Sequence, residues 1–425
     1  MVENKTPGRA WSVVFAGTTI NLCLGVLYAW SVWKAKLVDP EFMALPMNAG
    51  WSVLNHAQAS TPVTLCMLIF GLLMIPGGRL QDTKGPTLAA SVGGVAIGLG
   101  LLIAGVMKSY TGLIIGYGIG GGIGMGIGYA APTPAALKWF GPHKRGLVAG
   151  LVVAGYGGAA LYVSPLAEWI INAWGVSASF YALGIGFLIV ICAAAQVLAW
   201  PPEGYIPEAA PVKAGDEAKK IIVPRDWTAG EMTKTWQFYA LVLMFILNTQ
   251  SGILIITNAA GLAKSAAKGL VAGWVLASFG GLVNAAGRVG TGKYSDIIGR
   301  NNAYVLNAGV SAIAMLCIPY AVATKSIGLL FVLAGIGYWQ YGGGLALMPS
   351  YTADFYGPKN LGFNYGLVFI GWALGAFMPR LAGMIRDATG SFNIAFYLSA
   401  AFLLVAICLA FITKRPVHAD GVGES

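Results

Sequence analysis

Repeated apolar runs constrain this chain more than any other feature. Runs of about 20 residues cross a hydrocarbon core of about 30 Å as helices, which satisfy their own backbone polar groups. Charged residues make up only 10% of the chain, whereas a soluble domain carries about 25%. The chain is therefore predicted to be an all-α polytopic membrane protein embedded in a lipid bilayer.

Twelve apolar spans are predicted, six on either side of a polar stretch. That stretch, residues 201–235, contains prolines and both charge signs, which favours a connecting central loop. The loop separates an N-terminal half, residues 1–200, from a C-terminal half, residues 236–425. The predicted spans are 11–33, 55–77, 87–107, 111–136, 146–168, 178–200, 236–259, 269–292, 302–323, 327–350, 362–385 and 391–413.

The positive residues predict the orientation of the chain. Outside the spans, 17 Lys and Arg residues fall on the side that carries both termini and the central loop, and seven fall on the other side. Short loops rich in Lys and Arg stay on the cytoplasmic side of a membrane. Both termini and the central loop are thus predicted to be cytoplasmic, in a bacterial inner membrane. The net charge of +10 is explained by these loops, and no nucleic-acid partner is predicted.

Two internal repeats indicate that the halves are related by duplication. GRLQDTKG (78–85) and GKYSDIIGR (292–300) share a Gly, an Asp four residues later and a Gly three residues after that. The segment 139–159 also matches the segment 355–375, with GP, GL and several glycines in common. These repeats predict two pseudo-symmetric six-helix halves, with Tyr156 and Trp372 at corresponding positions.

The duplicated motif places Asp82 and Asp296 at the ends of the second and eighth spans. A carboxylate there can cap the N-terminus of a neighbouring helix or pair with a nearby Lys or Arg, such as Arg300. These three residues are predicted to form gating contacts that hold one conformation and break in another. The alternative is an ordinary solvated loop.

Arg288 lies within an apolar stretch, residues 271–292, that contains no Asp or Glu. A charge inside a bilayer costs about 2.5–3.5 kcal/mol on insertion scales, so this cation is predicted to meet an anion. Its planar fork of donors matches a carboxylate. Alternatively, the side chain is structural and bonds backbone carbonyls. Asn284, one turn earlier on the same helix face, can bind the substrate or hold the guanidinium.

Several longer motifs carry a resemblance to a known family. They are GVLYAWSV (25–32), KWFGPHKRGLVAGLVVAGYG (138–157), AGEMTKTWQFYAL (229–241), NAAGRVGTGKYSDIIGR (284–300) and ALMPSYTADFYG (346–357). With its twelve spans and duplicated loop motif, the chain resembles the major facilitator superfamily. Within it, the chain is most similar to the oxalate:formate antiporters and the monocarboxylate transporters.

This resemblance implies alternating access, in which two halves rock around a midplane site. It implies that Arg288 binds the substrate carboxylate, with Asn284 beside it. It also implies an aromatic cavity, for which packing against the protein core or lipid is the alternative at each position. The aromatic candidates are Tyr28, Tyr129, Tyr156, Tyr341 and Trp372.

Two departures from the family pattern bear on the substrate. Asn284 stands where eukaryotic monocarboxylate transporters have an Asp, which removes the titratable group of their proton mechanism. Trp372 stands where the antiporter has a Lys. One cation suits a monoanion with an apolar tail, whereas two suit a dianion such as oxalate. A monocarboxylate is therefore favoured over oxalate.

The sequence and the resemblance together predict a secondary transporter of small monocarboxylates such as lactate or pyruvate, coupled to protons. The alternative is an exchanger of the oxalate:formate type. No enzyme activity, cofactor, metal or obligate protein partner is predicted, because no nucleophile–base pair or metal-ligand cluster is apparent. The glycine-rich segment 116–132 could suggest a phosphate-binding loop, but it lies at membrane depth without a preceding strand and indicates close helix packing.

Overall fold

The computed structural model describes residues 7–208, 226–266 and 273–417. Within these ranges every regular element is a helix, and twelve helices cross the membrane. The N-terminal six are α1 Gly8–Leu37, α2 His56–Lys84, α3 Pro86–Met107, α4 Tyr110–Leu137, and α5 and α6, which together span Pro142–Ala195. The C-terminal six are α7 Trp236–Ala266, α8 Gly273–Ile298, α9 Arg300–Ala323, α10 Ile327–Tyr356, α11 Leu361–Arg386 and α12 Asn393–Ile412.

About half of the predicted central loop, residues 209–225, lies outside the described residues. Its two described ends, 201–208 and 226–235, define what is called below the central-loop side of the membrane. Lys5, at the N-terminus, and the cations Lys213, Lys219, Lys220 and Arg225 of the central loop also fall outside the described ranges.

Hydropathy accounts for most of the membrane crossings. Among the described residues, nine stretches are long and apolar enough to cross a membrane, and one of them contains both α5 and α6. These two helices are separated by a break at Gly175, where φ is 87°. Neither α8 nor α10 is among the nine. In α10, residues 340–353 are all buried, so protein rather than lipid surrounds that part of the helix.

Several helices extend further than their apolar spans predict. The second and eighth spans were expected to end at residues 77 and 292, but α2 continues to Lys84 and α8 to Ile298. Both repeated GxxxDxxG motifs therefore lie on final helical turns rather than in loops. Hydropathy marks only the part of a helix in hydrocarbon. Each helix ends at the last glycine of its motif, Gly85 or Gly299, with φ of 100° and 88°.

Three helices are irregular within the membrane. α1 tightens into a 3₁₀ segment at Gly25–Ala29, which carries Tyr28. α4 contains a π-helical stretch over Ile114–Gly121. α11 is interrupted after Gly375 and resumes at Met378. Segments of this kind often mark functional positions, and Tyr28 places one of them beside the cavity described below.

The two halves meet along two pseudo-equivalent flanks. On one flank α2 packs against α11, and on the other α5 packs against α8. The repeats relate these flanks, because α2 corresponds to α8 and α5 to α11. Glycines permit the close approach: Gly78 contacts Gly362 on the first flank, and Gly292 contacts Gly146 on the second.

Candidate functional site

A small closed cavity lies between the two halves, in the membrane interior. Its volume is about 10 Å³, which is roughly the space for one water molecule. The residues around it come from seven helices and are aromatic or apolar with one exception, the guanidinium of Arg288. They are Tyr28, Phe70, Tyr129, Tyr156, Arg288, Leu345, Phe369 and Trp372.

Arg288 is fully buried, and two of its three nitrogens are held by protein. Nε donates to the side-chain oxygen of Asn284 at 3.0 Å, and Nη1 donates to the carbonyl of Val153 on α5, across the interface between the halves. Nη2 is buried and has no hydrogen-bond partner among the described residues. A buried cation with one unused donor is costly, and an anion in the cavity would satisfy it.

In this structure the side chain of Asn284 holds the guanidinium of Arg288. The sequence left open whether Asn284 binds a substrate or holds the guanidinium. Its carbonyl oxygen accepts from Arg288 Nε, and the side chain is buried. The helical spacing of four residues between Asn284 and Arg288 explains this contact. Together with the Val153 carbonyl, it fixes the plane of the guanidinium and leaves Nη2 without a partner among the described residues.

The predicted aromatic residues come together around this cation. The indole nitrogen of Trp372 donates to the hydroxyl of Tyr341 at 3.0 Å, and that hydroxyl lies 3.4 Å from the hydroxyl of Tyr28. Tyr341 is thus behind the wall of the cavity and orients two side chains that form it. The Tyr156 ring lies edge-on to those of Tyr28 and Tyr129, at centroid distances of 5.5 and 5.2 Å.

Sequence analysis missed three residues of the cavity wall. Phe70 on α2 lies 5.2 Å from the ring of Trp372, and Phe369 stacks on Trp372 at 5.1 Å. Leu345 of α10 completes the wall. Two of these residues could have been found from the sequence. The repeat offset between α2 and α8 places Phe70 at the position that corresponds to Asn284, and Phe369 lies one helical turn before Trp372.

Asp82 forms a contact between the halves on the α2–α11 flank. One of its carboxylate oxygens accepts from the backbone N–H of Phe363, in the first turn of α11, at 2.7 Å. The other pairs with Lys138 at 3.3 Å. Burial lowers the pKa of the Lys138 ammonium, and the Asp82 carboxylate opposes that shift. A carboxylate at a helix N-terminus is stabilised by the helix dipole.

Asp296 makes the corresponding contact on the α5–α8 flank. Its two oxygens accept from the backbone N–H groups of Gly146 and Leu147 on α5, each at 2.8 Å. By the repeat offsets, Leu147 corresponds to Phe363, so the two aspartates cap pseudo-equivalent helices. Asp82 and Asp296 thus each cap the N-terminus of a helix in the other half.

Additional charges strengthen the α5–α8 flank. Arg300 pairs with Asp296 at 2.6 Å and with Asp354 at 2.9 Å. Arg145 on α5 pairs with the other oxygen of Asp354 at 3.0 Å, which links the two halves. Together with the α2–α11 contacts, this network closes the central-loop side of the molecule below the cavity.

A twelve-helix membrane fold with a cation-bearing cavity between two halves defines a membrane transport protein. The sequence profile of the Major Facilitator Superfamily matches residues 10–376, and the chain belongs to this superfamily. The predicted fold and family are therefore confirmed. In the described ranges no cluster of three or more His, Cys, Asp or Glu residues could hold a metal ion.

Relatives of known name cover nearly the whole chain. The oxalate:formate antiporter of Oxalobacter formigenes is 28% identical over 412 residues, covering 96% of this chain and 92% of that protein. Monocarboxylate transporter 13 of Bos taurus is 26% identical over 454 residues, covering 99% of each. The solved structure of the proton:xylose symporter XylE matches with a TM-score of 0.68 at 14% identity, covering 96% of this chain and 97% of that one. This last likeness concerns the fold alone.

Proposed function

We propose that the protein is a secondary transporter of small monocarboxylates of the lactate or pyruvate type, working by alternating access. The observation that carries this proposal is the unpartnered Nη2 of Arg288, buried beside an aromatic cavity. A carboxylate accepts charge-assisted hydrogen bonds from such a donor. Asn284 and the Val153 carbonyl pre-organise the guanidinium, and a bound carboxylate would supply the partner that Nη2 lacks.

The wall of the cavity supports a small monoanion as substrate. The cavity has one cation, and aromatic rings with Leu345 form the rest of its wall. A carboxylate would neutralise Arg288, and rings would cover a short carbon chain. The hydroxyls of Tyr28 and Tyr129 stand on the wall and could donate to the same anion. Two relatives are named for oxalate and formate exchange and for monocarboxylate transport, which agrees with a small carboxylate.

The proposed transport cycle assigns Asp82, Asp296 and Arg300 to the gate. In the present structure their contacts keep the central-loop side closed. Substrate binding from the opposite side would neutralise Arg288, after which these contacts break and the other side closes. The two moving bodies are residues 1–200 and 236–425, joined by the loop 201–235. The excess of Lys and Arg supports a cytoplasmic location for the central loop and both termini, in a bacterial inner membrane.

Uptake of labelled L-lactate into proteoliposomes, with and without an inward proton gradient, tests this function. Gradient-driven uptake would support proton-coupled symport. Recovery of chemically unchanged lactate inside the vesicles would separate a transporter from an enzyme. No uptake of lactate, pyruvate or other short monocarboxylates under any gradient would contradict the proposal.

Anion exchange is the second candidate, and one observation favours it. None of the residues around the cavity is Asp, Glu or His, so its wall offers no carboxyl or imidazole to carry a proton with the substrate. Returning without an anion would leave the Arg288 cation uncompensated in the membrane interior, which disfavours movement of the empty protein. Uptake that ignores a proton gradient but needs carboxylate inside the vesicles would identify an exchanger.

A further inference from the structure

The two flanks that close the central-loop side differ in the buried polar side chains that stand at corresponding positions. On the α2–α11 flank, three buried residues have side-chain atoms with no hydrogen-bond partner among the described residues: both amide atoms of Gln81, the hydroxyl of Tyr365 and the carbonyl oxygen of Asn364. On the α5–α8 flank, the unpartnered atoms of the described residues are Nε of Arg145, whose Nη1 pairs with Asp354, and Nε2 of His143. Buried polar groups in folded proteins are nearly always bonded, so each exception requires an explanation.

These three residues lie between the cavity and the central-loop surface. Tyr365 precedes Phe369 by one turn of α11, their rings are 5.7 Å apart, and Tyr365 interacts electrostatically with Tyr129 and Arg288. Further from the cavity, the amide of Gln81 lies against Gly362 at the start of α11.

The corresponding positions on the other flank are apolar or bonded. By the repeat offsets, Tyr365 and Asn364 correspond to Ala149 and Val148 on α5, and Gln81 corresponds to Ser295 on α8. The Ser295 hydroxyl donates to the carbonyl of Gly292 at 2.7 Å and accepts from Arg300 at 2.6 Å. The pseudo-symmetry of the fold therefore does not explain the unpartnered groups.

The charges that close the flanks differ in the same direction. Asp82 interacts with the backbone N–H groups of Phe363 and Gly362 and pairs with Lys138 at 3.3 Å. Asp296 accepts two backbone N–H bonds and pairs with Arg300, and Asp354 links Arg300 to Arg145 of the other half. The α5–α8 flank is thus held by more ion pairs than the α2–α11 flank.

We propose that the substrate passes between the cavity and the central-loop side along the α2–α11 flank, past Tyr365, Asn364 and Gln81. This inference rests on the proposed transport function and adds its route. Opening this flank hydrates the polar side chains of three residues that the closed state leaves unsatisfied, and they then form a polar wall for a carboxylate. The α5–α8 flank remains the more closed of the two.

Thiol labelling at symmetry-related positions tests the route. The five native cysteines are replaced by Ala, and single variants Gln81→Cys, Asn364→Cys, Ser295→Cys and Val148→Cys are reconstituted. A membrane-impermeant maleimide is applied from the central-loop side, with and without L-lactate. We expect Gln81→Cys and Asn364→Cys to react at least roughly tenfold faster than Ser295→Cys and Val148→Cys. A tenfold ratio corresponds to a difference of about 1.4 kcal/mol between the free energies of opening of the two flanks. Denatured samples confirm that every thiol can react.

Equal labelling of both flanks, faster labelling of Ser295→Cys and Val148→Cys, or no labelling of any position would overturn the route. Where a variant does not fold, hydrogen exchange of the unmodified protein replaces it. The amide of Phe363, bonded to Asp82, should exchange faster than the amide of Leu147, bonded to Asp296; the reverse order would overturn the route. Lactate uptake is measured separately, so unequal labelling without uptake would remove the proposed substrate and leave the route standing.

Discussion

The chemistry of the cavity depends on the number of nitrogens that Arg288 offers. Replacement by Lys keeps the charge but leaves one ammonium to contact Asn284, the Val153 carbonyl and a substrate. Lys is a point charge without the planar fork. Losing a hydrogen bond to a charged group costs about 1.5–3 kcal/mol, so we expect Arg288→Lys to reduce lactate uptake roughly 10- to 150-fold.

Initial rates of labelled lactate uptake, normalised to the amount of reconstituted protein, measure this effect. Arg380→Lys is the matched control, because Arg380 is an exposed cation eight residues beyond Trp372. Its uptake should stay near that of the unmodified protein. If Arg288→Lys also transported normally, the guanidinium could not be the substrate ligand.

Asn284 determines the charge next to Arg288, and changing it to Asp makes that charge titratable. An ionised Asp would pair with Arg288 and compete with the substrate carboxylate. Protonation restores a neutral side chain, so uptake should rise as pH falls. Above the pKa of the new carboxyl, uptake by Asn284→Asp should drop about tenfold per pH unit. Uptake rates measured at equal pH on both sides of the membrane report this, with Asn284→Gln as the neutral control. A flat pH profile for Asn284→Asp would show that position 284 does not control the site.

Among the helical elements, the two capping aspartates should differ in their tolerance of Asn. At Asp82 one oxygen accepts a backbone N–H and the other faces Lys138, so Asn keeps the cap. At Asp296 each oxygen accepts a backbone N–H, and an amide nitrogen would face a donor. We expect Asp296→Asn to lose about 1.5–3 kcal/mol of stability, because Arg300 keeps its pair with Asp354. We expect Asp82→Asn to lose more, about 3–5 kcal/mol, because it leaves the largely buried Lys138 without its anionic partner. Thermal unfolding of the two purified variants compares them directly, and an equal or reversed order would contradict the asymmetry.

The helices were easier to predict than the contacts they make. Apolar runs placed the membrane crossings, but α2 and α8 extend past them to Gly85 and Gly299, because helices continue into polar surroundings where their ends are capped. The repeated motif indicated that Asp82 and Asp296 could cap helices. It did not indicate which helices, since packing of the two halves brings α11 and α5 to these carboxylates.

The cavity shows a similar division between what sequence can and cannot indicate. A cation in an apolar span stands out, and so do Tyr and Trp at positions of family resemblance. Phe70, Phe369 and Leu345 give no such contrast, because an apolar side chain within an apolar span is equally suited to lipid, core or cavity. The orientation of the Arg288 guanidinium depends on the Val153 carbonyl of the other half, and a backbone carbonyl has no sequence signature.

In the proposed transport cycle, the net charge of the loaded cavity would determine which substrates allow the whole molecule to move between its two states. With a monoanion, the cavity around Arg288 would be neutral, and the halves would rock without an unpaired charge in the membrane interior. A dianion would leave one negative charge there, and moving such a charge is costly. The repeats show that the N-terminal half supplies no second cation, since Met74 occupies the position that corresponds to Arg288.

Replacing Trp372 by Lys would add a cation next to the cavity and reverse this balance. Trp372 is 2% exposed and stacks on Phe369, so the change both adds a charge and enlarges the cavity. With two cations, a dianion gives a neutral loaded cavity and a monoanion leaves an excess positive charge. We therefore expect Trp372→Lys to lose lactate uptake and to gain affinity for oxalate, measured by competition against labelled substrate. Trp372→Phe enlarges the cavity without adding charge and should not gain oxalate affinity. If Trp372→Lys gained none either, charge matching in this cavity would not be the basis of selectivity.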